Sequence, residues 1–269
     1  MSSENIKILT SDSLAAVYHQ DHSGQMATTY ACRVRWDENT ESKAFVKRFS
    51  NNDLLGICNE ITGYLIAKAS ELPVPRYAGL INTKDGQFPQ SSVPLYDWAF
   101  VVSNLPGNTP GSFYNLDDIT RCKSLMNLVA GWNKVSDVIA FDDWVANEDR
   151  HLGNIMVTGR NNIHIFDHSN LPMELNWTAS QLDVNYEAKS ILLNNLFALG
   201  CTPLPVKSKV ADATSNHKKY YDDIKEELDY WWNVLLAKDS GRRKALEEFI
   251  EKRAYLGANR VNSELRLLA

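Results

Sequence analysis

The sequence predicts an α+β fold, with a β-rich amino-terminal part carrying one main helix and a mostly α-helical carboxy-terminal part. Three observations predict it. Strand-like alternation runs from Leu14 to Phe49, a Pro/Gly-rich stretch spans Leu105 to Gly111, and helical periodicity dominates beyond it. The break divides the chain into residues 1–104 and 105–269.

The first strands are expected at Leu14 to His19, Met26 to Trp36 and Lys43 to Phe49, a meander separated by Asp21-His22-Ser23-Gly24 and Asp37-Glu38-Asn39. Asn51, Asn52 or Asp53 can cap a following helix, whose apolar positions Ile57, Ile61, Tyr64 and Leu65 recur at helical spacing until Pro73 and Pro75 stop it. Val74 to Asn82 and Tyr96 to Ser103 read as two further strands. Beyond Gly111, Leu116 to Trp132 and Lys134 to Ala146 read as helices, and so do Tyr220 to Ala237 and Gly241 to Tyr255. Between them, Ile155 to Val157 and Ile163 to Phe166 flank Thr158-Gly159-Arg160-Asn161-Asn162, a hairpin signal. The aromatic cluster of Tyr220, Tyr221, Tyr230, Trp231 and Trp232 reads as core or partner surface.

Composition excludes several classes of function. A chain of 269 residues that is 44% hydrophobic can build an ordinary globular core. Its formal charge of −5 includes no basic block fit to neutralise a nucleic-acid backbone. The four cysteines are far apart with no CxxC pair, so the expectation is reduced thiols in a cytoplasmic protein. No apolar run approaches a bilayer span, and the amino terminus lacks the pattern of a secretion signal, so neither membrane insertion nor secretion is expected.

The chemistry concentrates between Phe141 and Ser169. A polar turn, Asn147 to Asn154, follows a helix and precedes the hairpin, and the hairpin's second strand ends in Asp167-His168-Ser169. This layout brings Asp149, Asn154 and Asp167 to one rim. Phosphoryl transfer needs an oriented hydroxyl and cations that offset phosphate charge, and little covalent help from the protein. Asp149 suits the acceptor of the hydroxyl proton. Asn154 offers a neutral oxygen and Asp167 a charged one, a pair suited to magnesium that keeps water and phosphate ligands. Each of the three is an ordinary turn or strand-end residue taken singly. Their joint spacing is what points to phosphoryl transfer.

These residues also carry a resemblance. Phe141, Asp142, Trp144, Val145, Asn147, Asp149, Arg150, His151 and Asn154, followed by Ile165, Asp167, His168 and Ser169, resemble the HipA-like kinases and, more distantly, the phosphatidylinositol kinases with their D-R-H-x-x-N loop. The close match covers about thirty residues of the chain. The resemblance implies a two-lobed protein-kinase-like fold, with residues 1–104 as the N-lobe and 105–269 as the C-lobe. It also implies ATP and magnesium as cofactors, Asp149 as catalytic aspartate, and Asn154 and Asp167 as metal ligands. Two departures separate the chain from common protein kinases: D-R-H replaces H-R-D, and His168 stands where D-F-G has Phe. No A-P-E-like anchor follows, so regulation by a phosphorylated activation loop is not expected.

Supporting residues lie in the amino-terminal part. Strand alternation puts Lys47 on the face of Phe45 and Phe49, where an ammonium needs an anion, and Glu60 lies within the apolar stripe of the next helix. A Lys47–Glu60 pair solves both problems and aims Lys47 at the nucleotide phosphates, as the resemblance implies. The turn containing Ser23 and Gly24 stands where a phosphate-covering loop belongs. Trp98 to Ser103 is expected to hydrogen-bond adenine, with Phe100 or Val102 lining the pocket. Arg150 is expected to pair with Asp142 or Asp167, and His151 to hold the loop's backbone.

The leading expectation is a protein serine/threonine kinase acting on a protein substrate. A lipid kinase, a small-molecule hydroxyl kinase and a non-catalytic nucleotide-binding pseudokinase module are the alternatives. Retention of Lys47, Glu60, Asp149, Asn154 and Asp167 argues against the last. The short basic clusters Lys218-Lys219 and Arg242-Arg243-Lys244 are poor platforms for anionic lipid.

Overall fold

The computed structural model describes residues 5–21, 26–53, 55–84, 86–89, 91, 94–201 and 206–264. It has an α+β architecture built on a six-stranded mixed sheet. The strands are β1 (Ile6–Leu9), β2 (Leu14–Asp21), β3 (Thr28–Asp37), β4 (Thr40–Arg48), β5 (Ala78–Asn82) and β6 (Trp98–Ser103), in spatial order β1-β5-β6-β4-β3-β2. The expected meander is present as β2, β3 and β4. Strand β1 has no counterpart among the sequence expectations. Its four residues are too few to show alternation, and it gains its place by parallel pairing with β5, Ile6 opposite Ala78. Strand β5 starts at Ala78 rather than Val74, because Pro75 has no N–H to contribute to a ladder.

Alternation along β3 turns Tyr30, Cys32, Val34 and Trp36 to one sheet face, where they bury against Val46, Ile81, Ala99 and Val101. The opposite face, with Phe49, Leu80 and Phe100, packs against helix α1 (Gly56–Ala69). Helix α1 corrects the expected capping: its N-cap is Leu55, with no side-chain cap bond. Asp53 supplies a backbone carbonyl to Gly56 N (3.2 Å), while its carboxylate is engaged by Ser50 Oγ (2.5 Å) and Asn176 Nδ2 (2.9 Å).

The carboxy-terminal part contains α2 (Pro110–Asn115), α3 (Ile119–Ala130) and α4 (Val135–Trp144), then the hairpin of β7 (Ile155–Gly159) and β8 (Asn162–Ile165). Helices α5 (Ile191–Ala198), α6 (Val206–Thr214), α7 (His217–Leu235) and α8 (Ser240–Glu264) follow. Thr109 caps α2 through Ser112 N, and Pro110 occupies its first turn, so the Pro/Gly-rich stretch both ends the sheet and starts a helix. Tyr221, Trp231 and Trp232 are buried, which assigns the aromatic cluster to the core. That core is continuous across the junction at residues 104 and 105, joining α1, Phe49 and Phe100 to α4, the hairpin, α7 and α8.

Candidate active site

Helix α4 ends in a turn that fixes the polar loop. Ala146 adopts a left-handed backbone (φ 51°), and Asn147 turns back so that its Nδ2 donates to Asp142 Oδ1 (2.7 Å). From α8, Arg253 Nε donates to the Trp144 carbonyl (2.9 Å), satisfying one of the orphan acceptors at the end of α4. Arg260 reinforces this end through an ion pair with Asp143.

Arg150 ties the loop together. It is 1% exposed, pairs with Asp142 (3.0 Å) and donates from NH1 to the Phe166 carbonyl (2.8 Å) and, more weakly, to that of Asn154 (3.4 Å). Of its two expected partners the structure therefore selects Asp142, because α4 and the loop sit side by side while Asp167 is engaged by Lys47. His151 accepts from Gly153 N at Nδ1 (2.9 Å), the backbone-holding role expected of it.

Asp149, Asn154 and Asp167 come together through local geometry. Asn147 Oδ1 accepts from Asp149 N (3.0 Å), and Asn154 Nδ2 donates to the Asp149 carbonyl (2.8 Å). Hairpin register pairs Ile155 with Ile165, so Asn154 just before and Asp167 just after lie at the same open end, where Phe166 N reaches the Asn154 carbonyl (3.4 Å). The Asp149 carboxyl is pushed above its usual range, first by burial, against the pull of His151 and with a contribution from the negative charge of Asp167.

Lys47 is the electrostatic centre. It is 8% exposed, and its Nζ lies 2.6 Å from Glu60 Oε1 and 2.8 Å from Asp167 Oδ1. Burial favours the neutral amine, yet the two carboxylates outweigh it and hold the ammonium charged, above the ordinary lysine range. Asp167 is desolvated too, but Lys47 and the Ser169 hydroxyl (3.0 Å) keep its carboxyl below the usual range. Glu60 is pushed up to about 7, chiefly by burial, with Lys47 opposing and Asp167 adding. One ammonium serves two carboxylates, Glu60 at 2.6 Å and Asp167 at 2.8 Å. Asp167 also adopts a left-handed backbone (φ 62°), uncommon for a residue with a side chain and maintained here by its neighbours.

Phe100 faces Lys47 across the β4–β6 ladder and is buried, while Val102 faces Phe45 and is half-buried. Ser23 and Gly24 lie outside the described residues. Among the described residues, no three His, Cys, Asp or Glu side chains converge as a metal site.

Two contributors have no site role in the sequence reading, His168, which figures there only in the motif, and Asn59. His168 is buried, gives its backbone N–H to Glu60 Oε2 (3.0 Å), and sets its ring edge-on to Phe141 with Nδ1 at 3.4 Å from Arg150 NH2. Burial, then Arg150, hold its imidazole neutral, with a pKa well below the ordinary value. Asn59, beside Glu60 on α1, bonds the segment beyond Asp167. Its signal in the sequence is a polar amide next to Glu60, within the apolar stripe of Ile57, Ile61 and Tyr64.

No protein-family model matches the chain, and no curated protein matches it. No helix among the described residues is long and apolar enough to cross a membrane.

Proposed function

We propose that the chain is an ATP- and magnesium-dependent phosphotransferase with a two-lobed protein-kinase-like arrangement, similar to the HipA-like kinases and acting on a serine or threonine hydroxyl of a protein. The observation that carries this reading is Lys47, buried between Glu60 (2.6 Å) and Asp167 (2.8 Å). A structural ion pair needs one carboxylate, and a second drawn onto the same ammonium leaves excess negative charge in a desolvated place. Asp149 adds to that excess, while the nearby Arg150 is already committed to Asp142.

The donor set fits the cofactors. Excess carboxylate beside a neutral amide suits a hard divalent cation bound by few protein oxygens, with the rest of its coordination from water and phosphate. Asp167 and Asn154 would hold magnesium, whose charge offsets that of the phosphate oxygens. Asn154 is prepared for this, because its Nδ2 is fixed to the Asp149 carbonyl and its Oδ1 accepts no hydrogen bond among the described residues. Lys47 would orient phosphate oxygens. Asp149, half-exposed and with a raised pKa, would accept the proton from the acceptor hydroxyl, a task favoured as a base approaches the working pH.

Incubating the protein with labelled ATP, magnesium and a protein acceptor tests the reading. Asp149→Ala should abolish transfer, a loss of at least the ~10²-fold typical of a general base, with unfolding unchanged. Asp167→Ala should in addition weaken magnesium-dependent nucleotide binding. Wild-type turnover in Asp149→Ala would remove Asp149 from its role, and absence of ATP binding by the unmutated protein would end the kinase reading.

A further inference from the structure

Asn59 belongs to none of the groups so far given a chemical task, yet every polar atom of its side chain is used on one stretch of chain. It is 1% exposed; Nδ2 donates to the carbonyls of Ser169 (2.7 Å) and Leu175 (3.0 Å), and Oδ1 accepts from Trp177 Nε1 (3.0 Å). That stretch begins two residues after Asp167. Glu60, next along α1, takes the His168 N–H on Oε2 while its Oε1 takes Lys47. A turn further on, a side chain at Gly63 would put its Cβ 2.4 Å from His168 Cβ, so a bare helix backbone is what lets the segment lie this close.

The far side of α1 is fixed as well. Trp232 Nε1 of α7 donates to Thr62 Oγ1 (2.9 Å), and every residue of α1 from Gly56 to Ala67 is buried. The helix therefore has no solvent-facing side towards which it could swing. Asp167, by contrast, sits at φ 62°, a conformation that persists only where its surroundings hold it. Upstream, Arg150 holds the Phe166 carbonyl (2.8 Å); downstream, the fixed points are the His168 N–H on Glu60 and the Ser169 carbonyl on Asn59.

We infer that Asn59 is a positioning residue for the Asp167 carboxylate, and that α1 with residues 167–177 forms a preassembled unit holding the metal side of the site in its working geometry. The inference rests on the kinase reading, because the carboxylate it positions is the proposed magnesium ligand. It adds that the Lys47–Glu60–Asp167 set is complete without a rearrangement of α1.

The test measures the magnesium concentration that half-saturates binding of a fluorescent ATP analogue, together with amide exchange across residues 167–177. Asn59→Ala should raise the magnesium requirement by roughly 10-fold or more, the size typical of losing an outer partner of a metal ligand, and speed exchange in that segment. In an Asp167→Ala background the same change should leave the magnesium dependence where Asp167→Ala alone puts it. Trp177→Phe, which removes the donor to Oδ1 and some buried ring volume but leaves both Nδ2 bonds of Asn59, should shift the requirement the same way by a smaller factor, and it carries the test if Asn59→Ala does not fold. An unchanged magnesium requirement in either variant, or a further full loss on top of Asp167→Ala, overturns the inference. Failure of the unmutated protein to bind the analogue shows itself before any variant is compared, and it removes the kinase reading and this inference together.

Discussion

At the scale of single residues, the titratable groups that matter most are buried, and where no opposite charge answers the burial it sets their state. His217 shows this away from the site. It is 3% exposed, stacked on Trp144 (4.6 Å between ring centres), and held neutral by burial and by Arg260, with a pKa of about 3. A histidine depressed in the folded state contributes stability that is present above its unfolded pKa, near 6.5, and is lost as the pH falls towards the folded value. The loss is about 1.4 kcal/mol per pH unit for one proton, so roughly 2 kcal/mol between pH 7 and pH 5. Glu60, raised to about 7, runs the other way, losing stability as the pH climbs from its unfolded value, near 4.5, through 7. A comparison with His217→Phe cancels the Glu60 contribution. Denaturant titrations should show the wild type's advantage over His217→Phe shrinking by about 2 kcal/mol from pH 7 to pH 5. An advantage equal at both pH values would refute the assignment.

At the scale of elements, α1 decides how the site is assembled, and its glycine reverses a familiar rule. Replacing a helix-interior glycine by alanine ordinarily stabilises by about 1 kcal/mol. At Gly63 the new Cβ would lie 2.4 Å from His168 Cβ and 2.8 Å from Leu171 Cδ2, atoms of a segment already fixed by Asn59 and Glu60. Gly63→Ala should therefore destabilise by about 1–3 kcal/mol, the usual range for overpacking, which a shift in urea midpoint would register. A midpoint that rises would mean the segment yields easily. Helix α1 also shows what a sequence makes legible. Ile57, Ile61, Tyr64 and Leu65 marked the helix, and Lys47 with Glu60 marked the pair, because a charge among apolar neighbours demands a partner. Strand β1 was not legible, since a four-residue strand whose parallel partner lies 72 residues on, Ile6 opposite Ala78, leaves no periodic trace. Nor was Asn59 legible as a tether, because two of its partners are backbone carbonyls, which have no identity in a sequence, and the third, Trp177, lies 118 residues away. Arg150 was half legible: the need for a carboxylate was evident, but the choice of Asp142 follows from how α4 meets the loop.

At the scale of the whole molecule, the Pro/Gly-rich stretch at 105–111 suggested a boundary between two parts, and the packing joins them. One core runs from Phe49 and α1 through α4 to α7 and α8, and Asn59, Thr62 and Gly63 reach across it to residues 168–177 and 232. The sheet's other face has its own smaller core around Tyr30, Val34 and Val101, but β4, which gives Ala44 and Val46 to that core, also carries Lys47, paired with Glu60 of α1. A part whose main helix is buried on the other part has no low-energy boundary at which to separate, since opening there would expose the apolar surface of α1 at about 25 cal/mol per Å². Global unfolding should therefore be one cooperative event. Hydrogen exchange measured under increasing urea should bring the slowest amides of β4 and of α7 onto a common free energy with a common urea dependence, as expected of elements released only by the global transition. Two separate limits, with the sheet opening while α7 stays protected, would instead make the junction a true domain boundary, and α1 would then be free to leave residues 168–177 without unfolding the rest.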